Sequence, residues 1–418
     1  MAEDRSRWTT VFVLSLLISF ACGCQLGPAA MKMGHSEYSS AVQQIGDEQM
    51  LLNLVRLRYR DTPVWLEVTS ISTQFEFNSS GQISGALNEN VGPGDGKNPN
   101  LLGLQGNVGY SERPTITYTI LGGEDFLTQM LAPINVGSIS LLAESGWKSD
   151  RVLRLTVERI NGLKNAPRAS GPTPSKAPQF RSFLEAVRLM EELAQDQVVE
   201  FEYATRIEEI GSPVLMEKVG GGDVVSAAKT GTEFHARDDG KMRVLIKEKR
   251  ILIMRFTERA TDSAEATRLR ELLHLDQGRV RYDLLDPSKG DYDPIEPNRA
   301  LNNISVDTRS LMGVLYYLSN AVEVPPEDKI AGPVTDTVDE EGNPFDWAEL
   351  LDGLFVVKYG KSRPGGAAVA VRYRGLWFYT EDNDQNSKST FALLHQLASL
   401  QAGDIESTAP VLTLPVGG

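Results

Sequence analysis

Hydrophobic positions along the 418-residue chain change repeatedly between helical and strand spacing. From Ser36 to Arg60, apolar residues recur every three, four or seven positions, which predicts an amphipathic helix that ends at Asp61-Thr62-Pro63. Apolar residues then alternate over Val64–Phe77, which predicts a strand. The phase of this alternation changes after Val68, where we expect a bulge.

The next segments predict further strands and helices. Ser79–Asn100 is rich in Gly, Asn and Pro, which is typical of a long loop, and a strand is expected at Thr115–Leu121. The spacing of apolar residues predicts a helix over Val152–Leu163. Asp239-Gly240 separates two apolar runs and predicts a hairpin turn. Val306–Asn320 is a predicted helix, with Asp307 and Thr308 as its capping residues.

The C-terminal part has the clearest pattern. Strands are predicted at Leu354–Tyr359, Ala367–Tyr373 and Leu376–Thr380, and Ser389 is expected to cap a helix over Thr390–Leu400. Because helices and strands interleave with hairpins throughout the chain, we predict an α+β fold. It would contain mixed helices and mostly antiparallel sheets in two to three modules.

Composition marks one internal boundary. Residues Ala166–Gln179 contain four prolines among Gly, Ser, Ala and Lys, which is typical of a linker. The predicted organisation is a lipoprotein signal peptide at 1–23, a lipidated tether at 24–36, an N-terminal α+β domain at 37–165, a Pro-rich linker at 166–180, a middle α+β domain at 181–330 and a C-terminal α+β module at 331–418.

The N-terminal segment indicates export. Trp8–Phe20 is a mostly apolar run of 13 residues, which suits the core of a signal peptide and is shorter than the approximately 20 residues that span a bilayer. Cys24 follows Gly23, with Ala21 at the third place upstream, so small residues precede a thiol that can carry a diacylglyceryl group. Cys22 is the alternative acceptor. An uncleaved anchor and a plain signal peptide remain open, because acidic residues offset Arg5 and Arg7 in the leader.

Charge and cysteine content exclude several classes of protein. The formal net charge is −14, which argues against nucleic-acid binding. Both cysteines lie at the predicted anchor, so the domains after it contain no disulfide, no thiol nucleophile and no cysteine metal site. The four histidines are scattered without the spacing of a zinc site. We therefore predict no metal and no cofactor.

Two short motifs resemble catalytic or metal-binding signatures, and neither is complete. Ser226-Ala227-Ala228-Lys229 matches S-x-x-K and Lys229-Thr230-Gly231 matches K-T-G, but Lys229 would have to serve both motifs. Asp382-Asn383-Asp384 has the alternate oxygen ligands of a calcium loop, but Ser387 and Leu393 stand where that loop needs Gly and Glu. We predict a polar loop for the first segment and a turn that caps a helix for the second.

One cluster is a candidate binding surface for a glycan or a protein partner. Arginines and aromatic residues alternate near the end of a predicted strand and at the start of the next. The other interpretation is a half-buried strand with arginines on its polar side. The candidate residues are Arg372, Tyr373, Arg374, Trp377 and Tyr379.

Three strings, together with the cysteine-containing segment, resemble an uncharacterised family of bacterial envelope lipoproteins. They are Glu48–Asp61, Thr308-Arg309-Ser310-Leu311 and the segment from Arg372 to Tyr379. The resemblance covers most of the chain after the leader. It implies an envelope location and no catalytic residues.

We therefore expect a non-enzymatic lipoprotein, held in the outer membrane by acyl chains and facing the periplasm. Gln25 after the acceptor favours the outer membrane, because aspartate at that place usually retains such proteins in the inner one. Its partners would be the membrane and an envelope protein complex or peptidoglycan. The alternative is an envelope hydrolase that acts on cell-wall glycan or peptide through a site without a recognisable motif.

Overall fold

The computed structural model describes residues 26–87, 100–237, 241–287, 303–402 and 411–415. The chain forms two compact units. Unit 1 holds the described residues up to Gln49, those of Val64–Glu124, and the strand Val411–Pro415. Unit 2 holds Met50–Pro63 and the described part of Asp125–Asp404. Helices and mostly antiparallel sheets occur together, which confirms the predicted α+β class.

Unit 1 is built on one three-stranded antiparallel sheet. Strand β1 (Trp65–Leu87) pairs with β2 (Asn100–Leu121), and β2 also pairs with β13 (Val411–Pro415). The predicted bulge is confirmed, because the register shifts between Val68 and Ser70. The predicted loop at Ser79–Asn100 is wrong at its ends, since β1 continues to Leu87. Strand pairing uses backbone groups, so Gly and Asn weaken it without preventing it.

Helix α1 (Leu26–Arg58) begins ten residues before the predicted Ser36, so the described part of the expected tether is helical. Ala and Met in this stretch favour helix, which explains the earlier start. The end of α1 belongs to unit 2, where Leu51, Leu54 and Val55 are each 0% exposed. These side chains form part of the core of that unit.

Unit 2 contains a seven-stranded sheet, and β7 lies next to β5, β6 and β8. Antiparallel pairing dominates, and β8 pairs with β9 in parallel. Asp239-Gly240 lies outside the described residues, but β6 and β7 pair from Arg237↔Met242 onward, as the predicted hairpin requires. The strands are β3 (Val157–Ile160), β4 (Leu163–Lys164), β5 (Val199–Leu215), β6 (Thr232–Arg237), β7 (Met242–Phe256), β8 (Arg281–Leu285) and β9 (Asn303–Thr308).

Helices and strands both supply buried apolar side chains in this unit, and among the helical ones Leu155, Val187 and Leu269 are each at most 1% exposed. Among the helices, α4 packs against α5, and α5 packs against α7. The helices are α2 (Glu124–Leu131), α3 (Val136–Glu144), α4 (Ser149–Thr156), α5 (Arg181–Gln195), α6 (Gly221–Lys229), α7 (Ala264–Leu272), α8 (Leu311–Ser319), α9 (Pro326–Ala331) and α10 (Ala348–Leu351).

Two helix predictions in this unit are wrong in part. The predicted helix Val152–Leu163 ends at Thr156, and the chain continues directly as β3 and β4. The predicted caps Asp307 and Thr308 belong to β9, and α8 is instead capped by Ser310, whose Oγ accepts a hydrogen bond from the Gly313 N–H. In both cases a strand of the sheet takes residues that local spacing assigns to a helix.

The proline-rich segment 166–180 lies inside unit 2, between strands of the same sheet, so the predicted linker does not coincide with the boundary between the units. Ala169 and Thr173 are 0% and 3% exposed. The Ala177 N–H donates to the Val338 carbonyl at 2.7 Å, and the Thr337 hydroxyl donates to the Pro174 carbonyl at 2.6 Å. These contacts hold the segment against the loop that follows α9.

A third sheet closes the C-terminal part of unit 2, with strand order β10-β12-β11. Its strands are β10 (Lys358–Gly360), β11 (Ala367–Tyr373) and β12 (Leu376–Glu381), and α11 (Gln385–Ala402) follows. The predicted strand Leu354–Tyr359 is shorter than expected and begins at Lys358, and Leu354 and Phe355 are buried in the segment before it. The β11–β12 hairpin agrees with the prediction and carries the candidate surface.

Candidate functional site

A tight turn sets the geometry of the β11–β12 hairpin. Arg374 and Gly375 both have positive φ, at 48° and 83°, and the pair Tyr373↔Leu376 flanks them. A two-residue turn of this kind matches the twist of antiparallel strands. It places Arg372 directly opposite Trp377 in the hairpin.

The two faces of this sheet have different environments. Val371, Phe378 and Thr380 are 7%, 0% and 2% exposed, so their side of the sheet faces the core. Successive side chains of a strand point to opposite faces, which puts Trp377 and Tyr379 together on the other side.

Strand β10 and the following loop add positive charge to the side that carries Trp377 and Tyr379. Lys358 lies opposite Tyr379 in the register, and the Arg363 guanidinium lies 5.4 Å from the centre of the Trp377 ring. Gly360 lies opposite Trp377 and carries no side chain to cover the ring. We name this side the aromatic–cationic face, which consists of Lys358, Arg363, Arg372, Trp377 and Tyr379.

Two carboxylates, Glu381 and Glu323, lie near the lysine of this face and keep it charged. The Lys358 ammonium group donates to Glu381 Oε2 at 2.7 Å. This hydrogen bond raises the pKa of Lys358 above its usual value. Burial raises the pKa of Glu323, which also lies near Lys358. Lys358 therefore stays positively charged, and the face is cationic in a chain whose net charge is −14.

Tyr373 and Arg374 do not belong to the aromatic–cationic face, although the sequence pattern groups them with it. The Tyr373 hydroxyl donates to the Asp61 carboxylate, and Arg374 lies 3.4 Å from the same group. The Arg374 guanidinium also lies 4.8 Å from the Tyr59 ring centre. Both side chains thus bind the turn after α1, so two of the three strings behind the family resemblance meet in a structural contact.

Sequence reasoning missed Lys358 and Arg363. Side chains alternate between the two faces of a strand, so the predicted strand Leu354–Tyr359 already assigns Lys358 to one face. Placing it beside Tyr379 also requires the strand order, which the sequence does not give. Arg363 lies in the loop between β10 and β11, and its spacing carries no signal. Three of the five predicted residues, Arg372, Trp377 and Tyr379, do share the face.

The predicted lipidation residues, Cys24 and Cys22, lie outside the described residues. The S-x-x-K serine lies on α6, where its hydroxyl donates to the Gly222 carbonyl at 2.9 Å. Thr230 follows the same helix as its C-terminal cap, so the K-T-G residues do not form a strand. The segment 226–231, predicted to be a polar loop, therefore begins within a helix.

The calcium-like segment caps α11. Asp384 Oδ1 accepts hydrogen bonds from the N–H groups of Asn386 and Ser387, both at 3.1 Å. The helix begins at Gln385, so Asp384 takes the capping role that we predicted for Ser389. Asp382 forms an ion pair with Lys388 at 2.7 Å. Within the described ranges, no group of three or more His, Cys, Asp or Glu side chains could hold a metal ion.

A depression of about 780 Å³ is lined by several carboxylates, the groups that a glycan hydrolase would use for catalysis. Three of its four carboxylates have local partners, and Glu341 is the fourth. Asp339 accepts from the Asn343 N–H, Asp346 accepts from the Ala348 N–H, and Glu349 pairs with Arg181 at 3.0 Å. These contacts hold a loop, cap α10 and join two elements. The depression therefore gives no specific support to the hydrolase alternative.

Among the described residues, no helix has the length and apolar character needed to cross a bilayer. Comparison with known proteins gives no relative from which a function could be transferred. No protein-family model matches the chain, and no curated protein or solved structure is significantly similar to it.

Proposed function

We propose that this chain is a non-enzymatic lipoprotein of the bacterial outer membrane, which faces the periplasm and binds peptidoglycan through the aromatic–cationic face. The observation that carries the proposal is the pair Trp377 and Tyr379 on the side of the sheet that points away from the core, flanked by Arg363 and Arg372.

The chemistry of this face suits a glycan that carries carboxylates. Aromatic rings present flat apolar surfaces on which the faces of sugar rings can lie. Arginine binds carboxylates through two parallel hydrogen bonds. Peptidoglycan offers both groups, because its sugars carry peptides that end in carboxylates. A neutral glycan would use the rings alone and leave the cations unused.

The location of the cations supports this assignment. Lys358, Arg363 and Arg372 lie on one sheet face of a protein with 56 acidic and 42 basic side chains. A local positive patch in an acidic protein attracts anionic partners.

Sedimentation with purified cell-wall sacculi tests the proposed surface. The parent chain should sediment with sacculi, and Trp377→Ala should weaken binding by about tenfold, since one buried aromatic contact is worth about 1–2 kcal/mol. Trp147→Ala is the matched control, because Trp147 is half-buried and hydrogen-bonded to Gln396 outside the face.

Two results would overturn the proposal for this face. One is unchanged sedimentation of Trp377→Ala when its thermal unfolding matches that of the parent. The other is failure of the parent to sediment while a photo-crosslinker at Arg372 captures one specific envelope protein, which would assign the face to a protein complex instead.

The anchor is tested separately with a labelled fatty acid. We expect the parent and Cys22→Ser to be labelled and to fractionate with the outer membrane. Cys24→Ser should lose both the label and this fractionation, because acyl chains supply the membrane affinity. Label retained in Cys24→Ser but lost in Cys22→Ser would move the acceptor to Cys22.

A further inference from the structure

Unit 2 contains a second charged depression, separate from the aromatic–cationic face. It has a volume of about 860 Å³ and lies between the end of β7, the following turn, α7 and the loop before β8. Four arginines line it, against two glutamates, Glu200 and Glu258. The arginines are Arg255, Arg259, Arg270 and Arg279.

Arg270 is the buried member of this group. It is 7% exposed, and its guanidinium carbon lies 3.8 Å from the centre of the Phe256 ring. Its Nε has no hydrogen-bond partner, and no ion pair to Arg270 occurs among the described residues. The rest of the guanidinium lies close enough to the Tyr282 hydroxyl to act against the rise that burial causes in the pKa of that hydroxyl. A buried cationic donor without a partner costs free energy unless a ligand supplies the acceptor.

The other three arginines differ in the number of ion pairs and hydrogen bonds that they form within the protein. Arg255 pairs with Glu200 and lies 3.3 Å from Glu202. Arg259 donates one hydrogen bond, from Nη1 to the Asp196 carbonyl at 3.1 Å, and is otherwise exposed. Arg279 is exposed at the rim. Donors from Arg259, Arg270 and Arg279 are therefore available to a ligand in the depression.

Nearby carboxylates cancel only part of this charge, since four arginines and two glutamates line the depression. Glu200 is already paired with Arg255, and the Asp276 carboxylate accepts the Gly278 N–H at 2.9 Å. Glu258 is exposed on the turn after β7. The hydroxyls of Thr257 and Thr261 also line the depression, but each already donates to a backbone carbonyl and so can act only as an acceptor.

We infer that this depression binds a phosphate group, with Arg270 at its base and Arg259 and Arg279 at its rim. The planar guanidinium presents paired N–H donors that match the oxygens of a tetrahedral oxyanion. The phosphate could belong to a free phosphate compound or to the headgroup of an anionic phospholipid. These sources share the same chemistry at the site, and experiment can separate them.

Calorimetric titration of the full chain in a non-ionic detergent tests the site. We expect inorganic phosphate, added at constant ionic strength, to bind saturably at one site per chain. Arg279→Ala and Arg259→Ala should each raise the Kd by about tenfold, because each removes one charge-assisted contact from an exposed position. Arg181→Ala, which removes an exposed arginine outside the depression, should leave the Kd unchanged.

Arg270→Lys adds a test of the buried donor, because it keeps the charge and removes the planar fork. Glycerophosphoglycerol, the soluble headgroup of an anionic lipid, separates the two sources. Tighter binding of the headgroup than of inorganic phosphate assigns a lipid ligand, and the reverse order assigns a free phosphate compound. Absence of saturable binding for both probes, or an unchanged Kd in the Arg259→Ala/Arg279→Ala double variant, would overturn the inference.

Discussion

The guanidinium carbon of Arg309 lies 4.1 Å from the centre of the Tyr317 ring, and the two side chains are 1% and 0% exposed. Arg309 has no carboxylate partner among its hydrogen bonds. It donates instead to the backbone carbonyls of Arg154, Leu155, Val157 and Asn165, and to the Ser170 hydroxyl. A single arginine thus satisfies the carbonyls at the C-terminal end of α4, where a positive charge also suits the helix dipole.

Replacing Arg309 with methionine should lower the free energy of unfolding by about 3 kcal/mol. The change removes the arginine donor from the Leu155 and Asn165 carbonyls, whereas those of Arg154 and Val157 keep a donor in Asn165 Nδ2. Each buried carbonyl left unpaired costs about 1–3 kcal/mol, and the loss of a buried charge offsets part of that cost. Urea unfolding at pH 7 measures the difference. Arg181→Met is the control, with an expected change below about 0.5 kcal/mol, because Arg181 is 83% exposed in a surface ion pair. Equal midpoints for the two variants would contradict a structural role for Arg309.

Tyr317→Phe should leave the stability unchanged or raise it. The Tyr317 hydroxyl is buried without a hydrogen-bond partner, and burying an unpaired hydroxyl costs about 1–3 kcal/mol. Phenylalanine keeps the ring that faces Arg309 and removes that hydroxyl. Tyr317→Leu removes the ring as well and should be destabilising. Comparison of the two variants therefore separates the contribution of the hydroxyl from that of the ring. A clear loss of stability in Tyr317→Phe, measured by urea unfolding, would show that the hydroxyl has a partner.

Local patterns in the sequence predict some elements of the fold and miss others for physical reasons. The bulge after Val68 and the hairpins of β6–β7 and β11–β12 were predictable, because alternation and turn residues act over a few positions. The change from α4 to β3 was not predicted, although Asn161-Gly162, with φ values of 44° and 82°, is a strong hairpin signal. The apolar residues from Val152 to Leu163 have helical spacing, and this pattern led to the prediction of a continuous helix through the turn.

The buried arginines could not be predicted from the sequence. Arginine is usually exposed, and neither Arg309 nor Arg270 lies next to a motif that marks burial. The partners of Arg309 come from segments distant in sequence, such as Asn165 at a separation of 144 residues. The same reason explains the aromatic–cationic face, since the register of the hairpin was predictable but the position of Arg363 over Trp377 was not.

Stability at alkaline pH should depend on Tyr282. Burial raises the pKa of its hydroxyl, which donates to the Arg279 carbonyl at 2.9 Å. Below pH of about 10 this tyrosine is protonated in both the folded and unfolded chain, whereas above it only the unfolded chain releases the proton. The folded state then binds more protons, so the free energy of unfolding falls as the pH rises towards the folded pKa.

Urea unfolding between pH 7 and pH 11 in the parent and in Tyr282→Phe measures this effect. Tyr282→Phe should be less stable at pH 7, because it loses hydrogen bonds, but its decline above pH of about 10 should be shallower by up to about 1.4 kcal/mol per pH unit. Parallel curves for the two proteins would mean that Tyr282 titrates equally in the folded and unfolded states.

Asp384→Ala should lower the free energy of unfolding by about 1–2 kcal/mol, as expected for a lost helix cap. Asp384 accepts two backbone N–H groups at the start of α11. Asp382→Ala is the matched control and should change stability by less than about 0.5 kcal/mol, because Asp382 is 68% exposed and pairs with the surface residue Lys388.

Thermal unfolding in the presence of Ca²⁺ distinguishes a helix cap at Asp384 from a calcium site. The midpoint of the parent should stay the same with and without the ion, since the Asp384 oxygens are committed to the helix. A rise in the midpoint that Asp384→Ala abolishes would instead assign these carboxylates to calcium binding.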